Sequence, residues 1–206
     1  MEKNVNDFKQ RIPRKAYLQD PFKVATDVLL GAYLCSFVGG QFTAGRITEL
    51  EVYIGAEDKA CHAFLNKKTE RNAIMFEDGG HAYVYFIYGM YNMFNVVVSK
   101  KGMADAILIR SLEPVAGIDV MKERRKTDKF SALTTGPGKL TKALGITRDL
   151  NKEDLTTSKM LWISPKDADI NYVATRRVGI DYAEEYKDVL WRYLDKDSKY
   201  ISKKAD

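Results

Sequence analysis

Residues 49–53 read Glu-Leu-Glu-Val-Tyr. In an extended chain, side chains alternate, so Glu49, Glu51 and Tyr53 share one face and Leu50 and Val52 the other. The bland reading is a polar face in water. The chemical reading is a carboxylate on a rigid strand, next to an aromatic plate. A glutamate with an ordinary pKa of about 4.3 is ionised near neutral pH and can take a proton from water. Alternation alone does not choose between Glu49 and Glu51, because a register slip turns both over together.

The stretch His81 to Asn95, HAYVYFIYGMYNMFN, sets Tyr83, Tyr85, Tyr88 and Tyr91 around Gly89. Tyrosine rings pack sheet cores. They also stack on nucleobases, at about 1–3 kcal/mol per base. A hairpin tip suits a wedge that enters a base stack and fills a gap. Asn95 has both a donor and an acceptor with which to sort bases, although such an Asn is more often satisfied by backbone. His62 could donate one hydrogen bond to a heteroatom or be a surface residue. Arg110 ends the apolar run AILIR as an ion-pair partner or a phosphate clamp. Thr134 to Lys139, TTGPGK, opens a helix whose free N–H groups, with Lys139, suit a backbone phosphate.

These side chains need elements to hold them. PFKVATDVLLGAYLC, from Pro21 to Cys35, has helical spacing, with Asp20 placed to cap it. Phe42 to Ile54 reads as a strand. Residues 55–80 form a long polar connection with a short helix near His62, and such connections tend to be functional. His81–Ile87 and Tyr91–Ser99 read as a hairpin turning at Tyr88-Gly89-Met90. Asp105–Leu112 is a further strand. AGIDVMKERR and KLTKALGI read as helices, and LWIS, RRVGI and WRYL as short late strands. The expected class is α+β: a single mixed domain over 1–206, with a curved antiparallel β-sheet core, surrounding helices and a protruding β-hairpin. Residues 1–12 and 203–206 are expected to be flexible ends.

The 206 residues carry 33 Lys plus Arg against 28 Asp plus Glu, a net charge of +5, which allows a polyanion partner without demanding one. Cys35 and Cys61, with no secretory start, point to a reduced, intracellular setting, cytoplasmic or nucleoid-associated in a bacterium. No apolar run is long enough for a membrane span. Two cysteines and two histidines make a zinc site, or a zinc deaminase, improbable.

ELEVYIGAEDKACHA, RN-x-x-MF from Arg71 to Phe76, YVYFIYGMYNMFN, ILIRSLEP, GPGKL and RVGIDYAEE occur in the order and approximate spacing of one family. Over about Pro13 to Ser202 the chain resembles the alkyladenine (3-methyladenine, or methylpurine) DNA glycosylases. The resemblance implies a monofunctional base-excision-repair enzyme. It would flip alkylated or deaminated purines (3-methyladenine, 7-methylguanine, hypoxanthine, ethenoadenine) out of double-stranded DNA and hydrolyse the N-glycosidic bond with an activated water. Glu51 matches the general base, and Arg110 the arginine near the water and the nucleotide's phosphate. Tyr53 and Tyr85 match the two stacking walls, His62 the histidine that bonds the purine, and Asn95 the asparagine that disfavours guanine. Tyr88 matches the intercalating residue. Met90 and Lys139 match DNA contacts. No metal or organic cofactor, no membrane and no obligate protein partner are implied, and a monomer is expected. Leu50, Val52, Ala73, Ile74, Met93 and Phe94 depart from the family's usual residues. A rival reading is a non-catalytic module that stacks single-stranded bases on the tyrosines. Tyr83 and Tyr91 are assigned to ordinary sheet packing.

Overall fold

A computed structural model describes residues 5–205. In chain order the elements are α1 (Arg14–Tyr17), α2 (Pro21–Lys23), β1 (Tyr33–Val38), β2 (Gln41–Tyr53), β3 (Ala82–Ile87), β4 (Tyr91–Val98) and β5 (Asp105–Ala116), then α3 (Ile118–Arg125), α4 (Pro137–Leu144), β6 (Leu161–Ser164), β7 (Tyr172–Thr175) and β8 (Arg192–Asp195). The strands form one antiparallel sheet in the order β3-β4-β5-β2-β1-β6, with β8 on the distal half of β2 and β7 on β8. This is the α+β single domain expected.

β2 organises the fold because both its edges are paired, by β1 and β8 on one side and β5 on the other. Its apolar face, with Leu50 and Val52, packs in the main core with Val96, Ile107, Ile109 and the helix residues Met121, Leu140 and Leu144. The β2–β5 register shifts between Ile47 and Leu50. Such bulges bend a strand and re-aim side chains, here immediately before Glu51.

The β3–β4 hairpin runs from Ala82↔Val96 to Ile87↔Tyr91. Its turn places both Tyr88 (φ 54°) and Gly89 (φ 66°) in the left-handed region, and Met90 N–H donates to the Ile87 carbonyl at 3.2 Å. That pair of angles is the hairpin-type turn that matches strand twist. Glycine adopts it freely, whereas for tyrosine it costs about 1–2 kcal/mol. The tip protrudes, with Tyr88 80% and Met90 63% exposed.

Three expectations are corrected. Asp20 caps the Phe22 and Lys23 N–H groups as expected, but the helix from Pro21 ends at Leu29 after a π-helical stretch. Gly31, at φ 88°, turns the chain, and Tyr33–Val38 joins the sheet as β1. RRVGI is a loop, because Arg177 and the Val178 N–H are used by the site described below, and Tyr172–Thr175 supplies the strand instead. The short helix near His62 is only a 3-10 turn, Phe64–Asn66.

Residues 1–4 and 206 lie outside the described residues, but from Val5 on the lead-in is docked. Phe8 is buried against Tyr33, and the Trp162 indole donates to its carbonyl at 2.7 Å. At the other end, Arg192 donates to the Lys203 carbonyl at 2.9 Å.

Candidate active site

Glu49 and Glu51 are both fully buried, which rules out the solvated face. Burying a carboxylate is costly unless it is paired and hydrogen-bonded. Glu49 is. Its Oε1 accepts from Arg110 Nε at 2.9 Å, Arg192 Nη1 at 3.0 Å and Ser202 Oγ at 2.8 Å, and its Oε2 from the Ser202 N–H at 2.6 Å. Glu51 is held more lightly. Its Oε2 accepts from the Tyr53 hydroxyl at 2.7 Å and its Oε1 from the Val178 N–H at 2.7 Å, with Arg110 Nη1 3.2 Å from Oε1. Arg110 therefore spans both carboxylates.

The partners of Glu51 front a cavity of about 340 Å³. Tyr53, Arg110 and Val178 line it, and Glu51 stands one layer behind them. His62, Tyr83, Tyr85, Met93 and Asn95 form more of its wall, and Tyr88 and Tyr182 also border it. A cavity of this size, walled by tyrosines and aliphatic side chains with a few convergent polar groups, suits a small flat ligand.

Each aromatic wall is backed by an arginine. Arg177 lies 4.7 Å from the Tyr53 ring centroid and Arg71 lies 4.9 Å from that of Tyr85. Arg177 is itself fixed by Asp58, with Nη2 2.9 Å from Oδ1, and by the Val52 carbonyl. Burial, then the Glu51 charge, hold the Tyr53 hydroxyl well above its ordinary pKa, so it stays a donor.

His62 follows Cys61 in the polar connection. Asn72 ties it there by donating to the His62 carbonyl at 2.8 Å and to the Lys67 carbonyl at 2.8 Å. Its ring meets Tyr85 edge-on, with centroids 4.6 Å apart, and its Nδ1 is 2.8 Å from the Tyr83 hydroxyl. The residue as a whole is exposed, yet desolvation of its ring among these neighbours lowers its pKa to about 4, with the Arg71 charge adding to the effect. The imidazole is thus neutral at physiological pH. Burial pushes the Cys61 thiol up to about 12, which leaves it no nucleophile near neutrality.

Asn95, on β4, is buried and donates from Nδ2 to the Tyr83 carbonyl at 3.2 Å. The cavity thus gathers Tyr53, His62, Tyr85, Tyr88, Asn95 and Arg110, six residues read from the sequence. Met90 and Lys139 stand apart from it. Met90 is exposed at the hairpin tip, and Lys139 is exposed on the first turn of α4. The hairpin and α4 touch at Gly138, where a Cβ would fall 2.7 Å from the Tyr91 ring. Tyr91 is exposed and so does not fill the sheet core as expected; one side of its ring seats α4 against the hairpin.

Other residues escaped the sequence reading. Tyr83 is buried as expected, but its hydroxyl also holds His62. Val178 contributes only a backbone N–H, which leaves no trace in residue type. Tyr182 is 69% exposed at the cavity. A tyrosine two residues after the glycine-containing RVGI, in RVGIDYAEE, was the signal in the sequence. Of the residues departing from the family's usual types, only Met93 lines the cavity, while Leu50, Val52, Ile74 and Phe94 are core.

Among the described residues, no group of His, Cys, Asp or Glu side chains is placed to hold a metal ion, and no helix is long and apolar enough to cross a membrane.

The family described as Methylpurine-DNA glycosylase matches residues 15–199. A Clostridium tetani protein is 46% identical over 204 residues, covering 94% of this chain and 100% of its own. One from Clostridium novyi is 44% identical over 203 residues, covering 95% and 100%. One from Carboxydothermus hydrogenoformans is 45% identical over 195 residues, covering 94% and 99%. Each is named, provisionally, as a 3-methyladenine DNA glycosylase.

Proposed function

The chain belongs to the methylpurine-DNA glycosylase family, whose work is base excision repair, and from that premise we propose that it removes alkylated or deaminated purines from duplex DNA by water attack on the sugar. One observation carries the mechanism. A buried carboxylate, Glu51, sits directly behind an aromatic cavity and is held by donors from that cavity's own wall.

In the proposed reaction a damaged nucleotide leaves the duplex and its base enters between Tyr53 and Tyr85. Tyr88 fills the vacated gap in the stack. Its strained backbone supports that role, because strain is retained where function requires it. The C1′–N bond breaks and its electron pair leaves with the purine, through an oxocarbenium-like transition state. Water oxygen bonds to C1′, and its proton passes to Glu51. Arg110 keeps the two buried carboxylates compensated and offers positive charge at the cavity wall. Glu49 is less suited to the role because Arg192 and Ser202, which hold it, do not line the cavity, whereas Tyr53, Val178 and Arg110, the partners of Glu51, all do.

One carboxylate suffices, because the purine takes up the leaving-group charge. A purine that is already cationic leaves readily, whereas a neutral one such as hypoxanthine depends on hydrogen bonds, for which His62 and Asn95 are placed. Among the described residues no lysine lines the cavity, which supports hydrolysis by water over Schiff-base chemistry. The enzyme acts as a monomer, with Met90 and Lys139 on the DNA backbone side.

The test is incubation with duplexes carrying 3-methyladenine, 7-methylguanine, hypoxanthine or ethenoadenine. Released free base supports the reading. Tight binding to undamaged single strands with no base released would support the rival binding module instead.

A further inference from the structure

A second hollow, a groove of about 440 Å³, lies along β3, and Tyr85 borders both it and the base cavity. β3 is the edge strand of the sheet, and residues 148–152 dock on that edge. The Asn151 side chain accepts from the Val84 N–H at 2.9 Å, and the Lys152 N–H donates to the Ala82 carbonyl at 2.9 Å. Arg71, Arg148 and Lys152 line the groove and are exposed, with Glu70 as the carboxylate among them. Among the described residues none of these three cations has an ion-pair partner. Two of them lie instead over rings of β3, Arg71 at 4.9 Å from the Tyr85 centroid and Arg148 at 5.4 Å from that of Phe86. Such contacts hold a guanidinium in place without neutralising it. Lys152 sits at φ 75°, in the left-handed region that glycine or asparagine fills more easily. A strained lysine in a cationic groove fits a side chain kept for its charge.

Three unpaired cations against one carboxylate make a surface for a polyanion. Continuity with the cavity wall says which one. A base held against Tyr85 leaves its backbone at the cavity mouth, and the next phosphates then lie on the surface around that mouth. The β3 groove is a cationic surface that shares the Tyr85 wall. We propose that this groove receives backbone phosphates of the duplex beside the flipped nucleotide, with Arg148 and Lys152 as anchors that ignore sequence. Arg71, over the Tyr85 ring, stands where this backbone track meets the base pocket. The proposal rests on the cavity being the base pocket, and it extends the DNA-binding face from Met90 and Lys139 to the β3 edge. A phosphate contact releases counterions from the duplex, so its signature is salt dependence and not lesion choice.

The experiment measures binding of an undamaged duplex and of a hypoxanthine-containing duplex over a series of sodium chloride concentrations. Arg148→Gln and Lys152→Asn each remove one charge, and asparagine also suits the left-handed backbone at 152. Each should reduce the slope of log affinity against log salt by about one, and weaken both duplexes alike by about five- to tenfold at about 0.1 M salt. The double variant should lose about two from the slope. Glu70→Gln removes the opposing charge and should tighten both duplexes, a change of opposite sign that does not depend on the other variants folding. Single-turnover base release at saturating protein should be unchanged in all of them. A double variant with the slope of the unaltered protein overturns the proposal, as does affinity lost for the hypoxanthine duplex alone. Weaker binding by Glu70→Gln overturns it too. If the unaltered protein releases no base, it is the base-pocket reading that fails, and the slopes on undamaged duplex still decide the role of the groove.

Discussion

The Tyr53 hydroxyl donates to Glu51 Oε2 at 2.7 Å, so the cavity wall and the carboxylate behind it form one hydrogen-bonded unit. Tyr53→Phe keeps the flat face and removes only this bond. Single-turnover base release should slow by about five- to twelvefold, in line with about 1–1.5 kcal/mol for such a bond, while damaged-duplex binding stays near that of the unaltered protein. Equal loss of binding would mean that the hydroxyl matters for the fold of the wall and not for Glu51.

Glu49 and Glu51 should fail in different ways. Glu49→Ala leaves Arg110 and Arg192 buried without their shared carboxylate. Breaking a buried network from one side costs about 3–5 kcal/mol, so urea melts should show a large loss of stability. Glu51→Gln keeps the shape and one acceptor oxygen, leaves Arg110 its pair with Glu49, and lets the Tyr53 hydroxyl rotate to accept from the new amide. Its melt should therefore lie much closer to that of the unaltered protein than the melt of Glu49→Ala.

His62 makes a pH-dependent contribution whose sign follows from its lowered pKa, about 4 in the fold against the ordinary 6.5. Between these values the unfolded chain binds the proton and the folded one does not, so stability rises with pH across that window. The contribution is complete above about pH 6.5 and is lost as pH falls toward 4. In denaturant melts from pH 7 to pH 4, His62→Gln should lose less stability than the unaltered protein. Parallel losses would place the ring in solvent.

How much of this was legible beforehand depended on where each signal lay. Residue type alone left Tyr53, His62, Tyr85, Tyr88, Asn95 and Arg110 open, and only the family resemblance joined them into one site. The β2 strand, the Tyr-rich hairpin and the Asp20 cap could be read from residue type and spacing. The switch from helix to strand at Gly31 could not, because Tyr33, Leu34 and Cys35 continue an apolar pattern that either element fits. Nor could the division of labour between Glu49 and Glu51. It is set by Arg192, Ser202 and the Val178 N–H, all distant in sequence. Tyr83 was hidden for another reason: a buried ring looks like packing until the partner of its hydroxyl is known.

Tyr88 sets stability against function. At φ 54° and 80% exposed, it is strained and unsupported by packing. Tyr88→Gly should leave stability unchanged or raise it by up to about 1 kcal/mol, and should weaken binding to a lesion-containing duplex. Tyr88→Ala should likewise melt as a folded protein. A variant that unfolds would make Tyr88 a core residue and remove the wedge.

The central claim is that Glu51 activates the attacking water. Its most direct test is single-turnover release of hypoxanthine or 7-methylguanine by Glu51→Gln, with duplex binding measured in parallel. The account predicts binding retained and base release abolished. Release at the rate of the unaltered protein would contradict it.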